Sequence, residues 1–485
     1  MRLEDILREI SPVECRGEKG VEILSITQDS RTVAPGSLFV AVKGFSSDGH
    51  AFVGKAVAAG AVAVIYDDTA TAVPEGAAAI RVKDSRLALA LAASAFYGKP
   101  SEKLTLVGIT GTNGKTTTVT LLHEVFTSLG YSCGLLSTIA NFVGSRRTET
   151  TNTTSDPITI NRLLAEMVDE GCEYCFMEVS SIGLEQDRVA GLHYKAAIFS
   201  NLTHDHLDYH KTFAEYLRCK KLFFDNLSAD ALAITNTDDR NGLVMLQNTV
   251  AKPVTYSVKG LADHTCRIVE ESFDGMLLRI DGKEVWARLI GAHNAYNLLA
   301  VYTTAVELGA NPDEVLLAVS GAGCVKGRLE VVRGPRNISA VIDYAHTPDA
   351  LENVLKTLRE TAKDKELVCL FGCGGDRDRT KRPEMAAVAE KYADRIIVTS
   401  DNSRTEKTSD IIAEIRAGFS PRGLAKALFI EDRKEAIRTA VFTAKDGAAV
   451  LLAGKGHETY QITGTEKKHF DEREILSDVF KEAQI

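Results

Sequence analysis

The stretch Ile109-Thr110-Gly111-Thr112-Asn113-Gly114-Lys115-Thr116-Thr117-Thr118 decides the fold of the centre of the chain. An apolar run precedes it and a helix-like pattern follows it, so it predicts a turn between a buried strand and a helix. Glycines let backbone N–H groups surround an anion, and the helix N-terminus adds positive potential. Lys115 would contact the β- and γ-phosphates of a nucleotide, and the Thr116 hydroxyl would ligate Mg²⁺. The stretch therefore predicts a phosphate-binding loop, although the general motif has glycine where this chain has Ile109.

The composition is that of a globular protein, with 485 residues of which 45% are hydrophobic and 25% charged. This length suits about three domains. A net charge of -9 argues against bulk attraction to nucleic acid or anionic lipid. We find no export signal and no apolar run long enough to span a membrane, so we expect a cytoplasmic protein. The nine cysteines predict reduced, mostly buried thiols, and the C-x-x-C at 172–175 precedes a strand, which disfavours a redox or metal role.

Alternating apolar strands and helices predict an α/β fold. Residues 1–100 begin with a helix at 3–10 and continue as a βαβ-like pattern, with residues 99–103 as a linker. The next segment carries predicted strands at 104–109, 134–137, 174–179, 196–201, 232–236 and 254–257, and helices at 115–129, 157–170, 213–227, 292–308 and 312–319. Strands at 338–343, 367–371, 395–399, 427–430 and 448–452 follow, each before a polar loop and a helix. We therefore predict an N-terminal α/β domain (1–100), a central doubly wound parallel-sheet domain (101–330) and a C-terminal Rossmann-like domain (331–485).

Polar clusters follow several of the central strands, where ligands of such sheets bind. Glu178 and His206 leave strand ends close to the phosphate loop and could share Mg²⁺ with Thr116. The histidines at 204, 206 and 210 also resemble a zinc set, but cysteine is absent from their loop. Lys220 lies on the following helix, where a lysine is ordinarily solvated.

Arginine and glycine dominate the loops of the last domain, at 372–379 and at Asp401–Arg404. Arginine recognises carboxylates with paired hydrogen bonds, so these loops predict an acidic small molecule, with salt-bridged surface arginines as the alternative. ATP in one domain and a carboxylate pocket in another suggest that ATP activates a carboxylate as an acyl phosphate, which an amine then displaces.

Motifs along nearly the whole chain resemble the Mur ligase family. They are T-G-T-N-G-K-T-T (110–117), M-E-V-S-S (177–181), N-L-T-H-D-H-L-D-Y-H (201–210), G-x-H-N-x-x-N (291–297), G-R-L-E (327–330), D-Y-A-H-T-P (343–348), F-G-C-G-G-D-R-D (371–378) and G-K-G-H-E-x-Y-Q (454–461). The likeness is strongest to the member that adds the third residue of the peptidoglycan stem peptide. Folylpolyglutamate synthases share the fold but usually have G-K-G-S where this chain has G-K-T-T.

The resemblance implies UDP-binding, ATP-binding and amino-acid-binding domains. We expect the protein to be a monomer. It implies ATP-dependent addition of meso-diaminopimelate to UDP-N-acetylmuramoyl-L-alanyl-D-glutamate, with Mg²⁺ and a CO₂-derived carbamate on Lys220. The implied catalytic residues are Lys115, Glu178, His206 and Lys220, and the implied metal ligands are Thr116, Glu178, His206 and the Lys220 carbamate. The implied ATP site comprises Gly111, Thr112, Asn113, Gly114, Lys115, Thr116, Thr117, Asn294, Asn297, Arg328 and Asp343. The implied UDP-sugar-peptide site comprises Ser30, Phe45, Ser46, Ser47, Asn152, Thr153, Thr154, Ser180, Gln186 and Arg188. The implied amino-acid site comprises Arg377, Asp401, Asn402, Ser403, Arg404, Gly454 and Glu458.

Some positions depart from the family pattern. Ser403 replaces the proline of D-N-P-R, the form that accompanies diaminopimelate, but Arg404 is present. A guanidinium can bind the second carboxylate of diaminopimelate, whereas it would repel the terminal ammonium of lysine. Gln28 replaces a usual leucine, Ile182 replaces the histidine of S-S-H, and His293 replaces the phenylalanine of G-x-F-N. The alternatives are a ligase that adds lysine or another diamino acid, a sister Mur-type ligase, and a nucleotide-dependent binding module without turnover.

Overall fold

The computed structural model describes residues 1–44, 47–150, 152–203 and 207–483. The chain divides into two compact units, one made of residues 1–264 and 300–315 and the other of residues 265–299 and 316–485. Among the described residues, no helix is both long enough and apolar enough to cross a membrane.

The N-terminal segment forms a small α/β structure with one five-stranded sheet. It comprises α1 (Leu3–Ile10), β1 (Glu14–Arg16), β2 (Ser25–Thr27), β3 (Ser37–Val40), α2 (Val53–Ala58), β4 (Ala61–Tyr66), β5 (Ala78–Arg81) and α3 (Ser85–Phe96), with 3₁₀ helices at Gly49–Phe52 and Pro100–Glu102. The strand order is β1-β5-β4-β3-β2, in which β1 is antiparallel to β5 and the other pairs are parallel. Helix α1 buries Leu3, Ile6 and Ile10, which its periodicity places on one face.

The central segment forms a larger, mainly parallel sheet. Its elements are β6 (Thr105–Thr110), α4 (Lys115–Ser128), β7 (Cys133–Leu136), β8 (Asn141–Val143), β9 (Arg146–Thr148), α5 (Pro157–Asp169), β10 (Tyr174–Glu178), α6 (Ser181–Glu185), β11 (Ala196–Phe199), α7 (Leu207–His210), α8 (Phe213–Asp225), β12 (Leu232–Asn236), α9 (Gly242–Met245) and β13 (Lys252–Ser257). The order is β13-β12-β11-β6-β10-β7-β8-β9, with parallel pairing from β13 to β7 and antiparallel pairing at β8 and β9. Strands β6, β10 and β11 are almost entirely buried, as a sheet covered on both faces requires.

A glycine in the central strand β6 sets how closely helix α8 approaches the sheet. A Cβ at Gly108 would lie 2.6 Å from Cζ of Phe223 on α8 and 2.8 Å from Cε1 of Tyr194. Because real Cβ atoms do not come so close, a larger residue would push the helix outward. This contact matters for the site, since α8 also carries Lys220.

The second unit contains an antiparallel ribbon and a second parallel sheet. Its ribbon strands are β14 (His264–Ser272), β15 (Gly275–Ile280) and β16 (Lys283–Ala287). Helices α10 (Ala292–Glu307) and α11 (Pro312–Gly321) follow along the chain, with residues 300–315 assigned to the first unit. The sheet elements are β17 (Glu330–Arg333), β18 (Ser339–Asp343), α12 (Pro348–Ala362), β19 (Leu367–Phe371), α13 (Lys381–Tyr392), β20 (Arg395–Val398), α14 (Thr408–Arg416), α15 (Pro421–Leu424), β21 (Ala427–Phe429), α16 (Arg433–Thr443), β22 (Ala449–Ala453), β23 (Tyr460–Thr463), β24 (Glu466–His469) and α17 (Glu472–Glu482), with a 3₁₀ helix at Pro335–Asn337. The order is β17-β18-β22-β19-β20-β21, parallel except at β17, and β23 and β24 form a separate hairpin.

The predicted α/β alternation is confirmed, and most predicted strands and helices agree with the structure to within two residues at each end. One expectation was wrong. The segment 264–287 is an antiparallel ribbon rather than a continuation of the alternation, and its apolar runs are no longer than three residues. The predicted linker at 99–103 contains a 3₁₀ turn in which Pro100 and Ser101 are buried, and Ser101 Oγ accepts a hydrogen bond from His193 N at 3.0 Å. The predicted domain boundaries at residues 100 and 330 stay predictions.

Candidate active site

The phosphate loop lies between β6 and α4, as its sequence predicts. Gly111 has φ +154° and Gly114, which precedes the helix, has φ +88°, both values that favour glycine. A Cβ at Gly111 would also lie 2.0 Å from Ser200 Oγ. The Lys115 ammonium folds back over the loop and donates to the carbonyl oxygens of Gly111 at 2.8 Å and Thr112 at 2.9 Å. The loop therefore presents a positive charge at the start of a helix, and Thr117 is buried within the first turn of that helix.

Residues after β11 hold the loop in place. Asn113 N donates to Asn201 Oδ1 at 2.9 Å, and Ser200 Oγ donates to the Asn113 carbonyl at 2.7 Å. Thr112 Oγ1 accepts from Thr203 N at 3.0 Å. Since β6 and β11 are neighbouring parallel strands, their carboxyl ends meet, and these contacts fix the loop against the adjacent strand.

Glu178, the last residue of β10, connects the phosphate loop to the segment that follows the neighbouring strand β7. Its side chain is 1% exposed, and it accepts from Thr116 Oγ1 at 3.0 Å and from Thr138 N at 2.8 Å. The hydroxyl of Thr116 and this carboxylate supply hard oxygen ligands at one point, which is the chemistry that Mg²⁺ prefers. The other predicted ligand, His206, lies outside the described residues.

Lys220 is buried rather than solvated, so the ordinary expectation for a helix lysine was wrong. It is 1% exposed, and its ammonium donates to the Gly111 carbonyl at 2.9 Å and to Thr110 Oγ1 at 3.5 Å. The ammonium also lies 4.6 Å from the ring centroid of Tyr216, whose hydroxyl is 3.1 Å from Thr112 Oγ1. Lys115 and Lys220 therefore converge on a single carbonyl oxygen of the phosphate loop.

The predicted zinc alternative involves a loop that is only partly described, because the histidines at 204 and 206 lie outside the described residues. His210 is buried, with Nε2 2.9 Å from Ser181 Oγ and Nδ1 3.5 Å from Glu185 Oε2. Cys219 Sγ lies 3.8 Å from the same Nδ1, so Glu185, His210 and Cys219 form a compact group. This group differs from the predicted histidine set. All nine cysteines are free thiols, and seven of them are buried, as expected.

A cavity of about 180 Å³ in the first unit brings together part of the predicted UDP-sugar-peptide site. Its lining includes the predicted residues Asn152, Gln186 and Arg188, together with Gln28. Gln186 Oε1 accepts from Arg188 Nη2 at 2.7 Å and from Nε at 3.0 Å, and Arg188 Nη1 donates to the Thr154 carbonyl at 2.7 Å. The cavity therefore has a guanidinium that the surrounding backbone and amide hold in one orientation.

The other residues predicted for the UDP-sugar-peptide site either do not line this cavity or lie outside the described residues. Thr154 and Ser180 support Glu178, because Thr154 Oγ1 donates to the Glu178 carbonyl at 2.9 Å and accepts from Ser180 N at 3.0 Å. Thr153 Oγ1 accepts from Thr138 Oγ1 at 3.1 Å. Ser30 and Ser47 are described, but they are not part of the cavity lining. Phe45 and Ser46 lie outside the described residues.

Arg86 and Lys43 line the cavity, and sequence reasoning missed both. Arg86 follows Asp84, the N-cap of α3, and its Nη2 donates to the Lys43 carbonyl at 2.8 Å. The Asp-x-Arg sequence at a helix start was a visible signal, but the partner of the arginine lies 43 residues away along the chain. Lys43, Arg86 and Arg188 outnumber the one carboxylate in the described lining, that of Asp156, so the cavity suits an anionic ligand.

In the second unit, the residues implied for ATP line the ends of β18 and α10. Asp343 Oδ2 accepts from Leu329 N at 2.7 Å and Oδ1 accepts from Ala345 N at 2.8 Å, while burial raises the pKa of this carboxyl. The Arg328 guanidinium lies 5.0 Å from the Tyr344 ring centroid. Asn294 Nδ2 donates to the Ile290 carbonyl at 2.8 Å, and Asn297 Nδ2 donates to Asn294 Oδ1 at 2.9 Å.

The residues implied for the amino acid come together at the carboxyl ends of β20 and β22. Asp401, Asn402 and Ser403 are buried, and Asn402 Nδ2 donates to Glu458 Oε2 at 2.9 Å. A Cβ at Gly454 would lie 2.7 Å from Asp401 Oδ2, so glycine is needed where the two loops meet. Lys455, which sequence reasoning did not include, is fully buried among these side chains.

Arg404 is held in a special backbone conformation, with φ +50°. Its Nη1 donates to the Gly375 carbonyl at 2.8 Å and to the Asn402 carbonyl at 3.4 Å. A left-handed conformation at a non-glycine residue is uncommon and is often associated with function. Arg377, by contrast, is exposed, and its Nη1 donates to the Asp376 carbonyl at 3.1 Å.

Comparison with family models gives three matches that cover most of the chain. They are the Mur ligase family catalytic domain (residues 22–97), the Mur ligase middle domain (109–305) and the Mur ligase glutamate ligase domain (327–456). The chain is 49% identical to UDP-N-acetylmuramoyl-L-alanyl-D-glutamate–2,6-diaminopimelate ligase of Parabacteroides distasonis over 100% of both chains. It is 42% identical to the protein of the same name from Geobacillus kaustophilus over 95% of each chain.

Solved structures give the same fold. A structure of UDP-N-acetylmuramoyl-L-alanyl-D-glutamate–2,6-diaminopimelate ligase matches with a TM-score of 0.72 and 30% identity, over 100% of this chain and 99% of the other. A crystal structure of MurF from Acinetobacter baumannii matches with a TM-score of 0.65 at 17% identity, over 99% and 98% of the two chains, which shows a common fold.

We predict that Glu178→Gln removes the magnesium-dependent part of nucleotide binding. The amide keeps the shape of the side chain and one oxygen acceptor, but it lacks the negative charge. We expect affinity for Mg²⁺-nucleotide to fall at least about tenfold, with binding of metal-free nucleotide little changed. Calorimetry with and without Mg²⁺ measures both quantities. The control is Glu173→Gln, at an exposed carboxylate just before the same strand. Equal Mg²⁺ dependence in the Glu178 variant and the wild type would contradict this role.

Proposed function

We propose that this chain, which belongs to the Mur ligase family, adds meso-diaminopimelate to UDP-N-acetylmuramoyl-L-alanyl-D-glutamate at the expense of ATP, in peptidoglycan precursor synthesis. The observation that carries the proposal is the 49% identity, over the full length of both chains, to a relative named for this reaction. The Asp401–Arg404 loop supports the same substrate, because its first three residues are buried and the half-buried Arg404 offers a guanidinium to a second carboxylate.

The phosphate loop would bind ATP in this reaction. The N-terminus of α4 and the Lys115 ammonium attract the phosphates, and the contacts from Ser200 and Asn201 keep the loop in one shape before ATP binds. Asn294, Asn297, Arg328 and Asp343 stay candidates for nucleotide contacts, as the family resemblance implies. A preorganised loop loses little entropy on binding, which favours tight positioning of the γ-phosphate.

Mg²⁺ fits the oxygen atoms at the end of β10. Thr116 and Glu178 would hold it, and His206 is the further ligand implied by the family. The metal ion neutralises phosphate charge when it is bound. The chain's own contribution is to orient these ligands, since Thr138 N fixes one carboxylate oxygen of Glu178 at 2.8 Å.

A carbamate on Lys220 is a further part of the proposal. A carbamylated lysine retains one N–H, which can keep the hydrogen bond that the ammonium now donates to the Gly111 carbonyl at 2.9 Å. The burial of the side chain would protect the modification from water, and its negative charge suits a site that also holds Mg²⁺.

The acceptor substrate would occupy the cationic cavity of the first unit. Asn152, Gln186 and Arg188 line that cavity, and Arg86 and Lys43 add positive charge for an anionic ligand. Ser30, Ser47, Thr153, Thr154 and Ser180 stay candidates for contacts with this substrate. Its free carboxylate attacks the γ-phosphorus, the bond from phosphorus to the ADP oxygen breaks, and an acyl phosphate forms.

The amino acid would bind at the ends of β20 and β22. Its neutral amine attacks the acyl carbon, the carbon–oxygen bond to phosphate breaks, and phosphate leaves as the amine loses a proton. Asp401, Asn402 and Glu458 would bind the amino-acid end that reacts, with Arg377, Ser403 and Gly454 beside it. Arg404 would bind the distal carboxylate, because both of its described side-chain hydrogen bonds use Nη1 and orient the guanidinium.

We propose that the protein acts as a monomer in the cytoplasm, where the ATP and UDP-linked substrates are found.

We predict that ADP release requires both the UDP-linked dipeptide and diaminopimelate, and that lysine is a poor substitute. Arg404→Ala should lower kcat/KM for diaminopimelate about 100-fold, as expected for loss of a charged, paired hydrogen bond. The same variant should reduce the ratio of kcat/KM for diaminopimelate to kcat/KM for lysine. The control is Arg422→Ala, at an exposed arginine of α15.

Two results would contradict this assignment. ADP release that ignores both substrates would indicate a nucleotide-dependent module without ligase activity. Efficient addition of lysine by the wild-type protein would show that Arg404 does not select the amino acid, and would favour a lysine-adding ligase.

We predict that Lys220 carries a carbamate in solution. Protein equilibrated with ¹³C-bicarbonate should give a carbamate ¹³C resonance that disappears in Lys220→Met. The control Lys221→Met, at the neighbouring residue on α8, should keep the resonance. A spectrum that is identical for wild type and Lys220→Met would rule out the modification.

A further inference from the structure

Lys455 is a buried cation at the centre of the amino-acid-binding residues. Its side chain is fully buried, and its ammonium lies 3.2 Å from both Asn402 Oδ1 and Glu458 Oε2. Asp401 Oδ1 is 3.8 Å away. Since a lysine ammonium is rarely buried without anionic partners, these contacts explain how it is accommodated.

The ammonium determines which way the side-chain amide of Asn402 faces. Asn402 Oδ1 accepts from Lys455 and from Ile462 N, the latter at 2.9 Å. Its Nδ2 donates to Glu458 Oε2 at 2.9 Å. A flipped amide would place its NH₂ group against two donors and its oxygen against a carboxylate, so only one orientation satisfies all the groups.

The same ammonium offsets the charge of two carboxylates. Asp401 and Glu458 lie on separate loops, after β20 and β22, and both contact Lys455. Without the cation, the two carboxylates would repel each other in a site with little water. Glu458 would then be expected to turn away from Asn402, which would change the donors and acceptors that the loops offer to a ligand.

We propose that Lys455 is a positioning residue for the incoming amino acid, acting through Asn402 and Glu458. This inference rests on the proposed function. The fully buried ammonium is not placed to contact substrate itself, so its effect on catalysis is exerted by fixing the two side chains that do. The class of ligand it serves is an amino acid with an α-ammonium group, which needs well-placed acceptors.

The experiment measures Michaelis constants of Lys455→Met for each substrate. We expect KM for diaminopimelate to rise at least tenfold, and KM for ATP and for the UDP-linked dipeptide to change less than twofold. The control is Lys426→Met in the same unit, where the ammonium donates to the backbone carbonyls of Glu390 at 2.5 Å and Ala393 at 2.6 Å. That variant should lower the melting temperature without altering KM for diaminopimelate.

A double-mutant cycle with Asn402→Ala tests whether Lys455 acts through its partner. If it does, Lys455→Met should add little to the KM of Asn402→Ala. Full additivity, or an unchanged KM in the single variant, would overturn the proposal.

If Lys455→Met does not fold, Lys455→Arg retains the positive charge with altered geometry, and should show the same selective rise in KM for diaminopimelate. An equal rise for all three substrates would again overturn it. Failure of the proposed function is distinguishable, because the wild-type protein would then not turn over diaminopimelate at all.

Discussion

One carbonyl oxygen, that of Gly111, organises the nucleotide end of the molecule. It accepts hydrogen bonds from the ammonium groups of both Lys115 and Lys220, at 2.8 and 2.9 Å. The arrangement requires glycine, because a Cβ at this position would collide with Ser200. It also requires Gly108, which lets α8 approach the sheet closely enough for Lys220 to reach the loop. The conformation of the phosphate loop therefore depends on helix α8, which packs over it, as well as on the sequence of the loop itself.

The residues implied for the amino acid depend on a comparable constraint in the second unit. There, Lys455 is enclosed by side chains from the loops after β20 and β22. The buried Arg433 stabilises the same strand ends, since it donates to the carbonyls of Ser400 at 3.1 Å and Ala453 at 2.8 Å. It also forms a salt bridge with the buried Glu472. In each unit, a buried cation fixes backbone or side-chain acceptors at the carboxyl ends of parallel strands, where ligands of such sheets bind.

The sequence was sufficient for the parts of the fold that depend on local pattern. Continuous apolar runs predicted β12 and β19 to the residue, and the glycines beside Lys115 predicted the phosphate loop. The burial of Lys220 and Lys455 was not predictable in this way, because a lysine is ordinarily solvated and the loops that enclose these two, at Gly111 and at Asp401–Asn402, are distant in sequence. Arg86 was missed for the same reason. The antiparallel ribbon at 264–287 was missed because its strands mix polar and apolar residues without regular alternation and without a long apolar run.

The transfer of oxygen from substrate to phosphate tests the central claim of acyl-phosphate chemistry most directly. The reacting carboxylate of UDP-N-acetylmuramoyl-L-alanyl-D-glutamate is labelled with ¹⁸O, and the phosphate released during turnover with diaminopimelate is analysed by mass spectrometry. When a carboxylate oxygen attacks phosphorus and the amine later breaks the carbon–oxygen bond, that oxygen leaves with the phosphate. We expect each phosphate to carry one oxygen atom from the carboxylate. Phosphate without ¹⁸O, released alongside the amide product, would contradict the account.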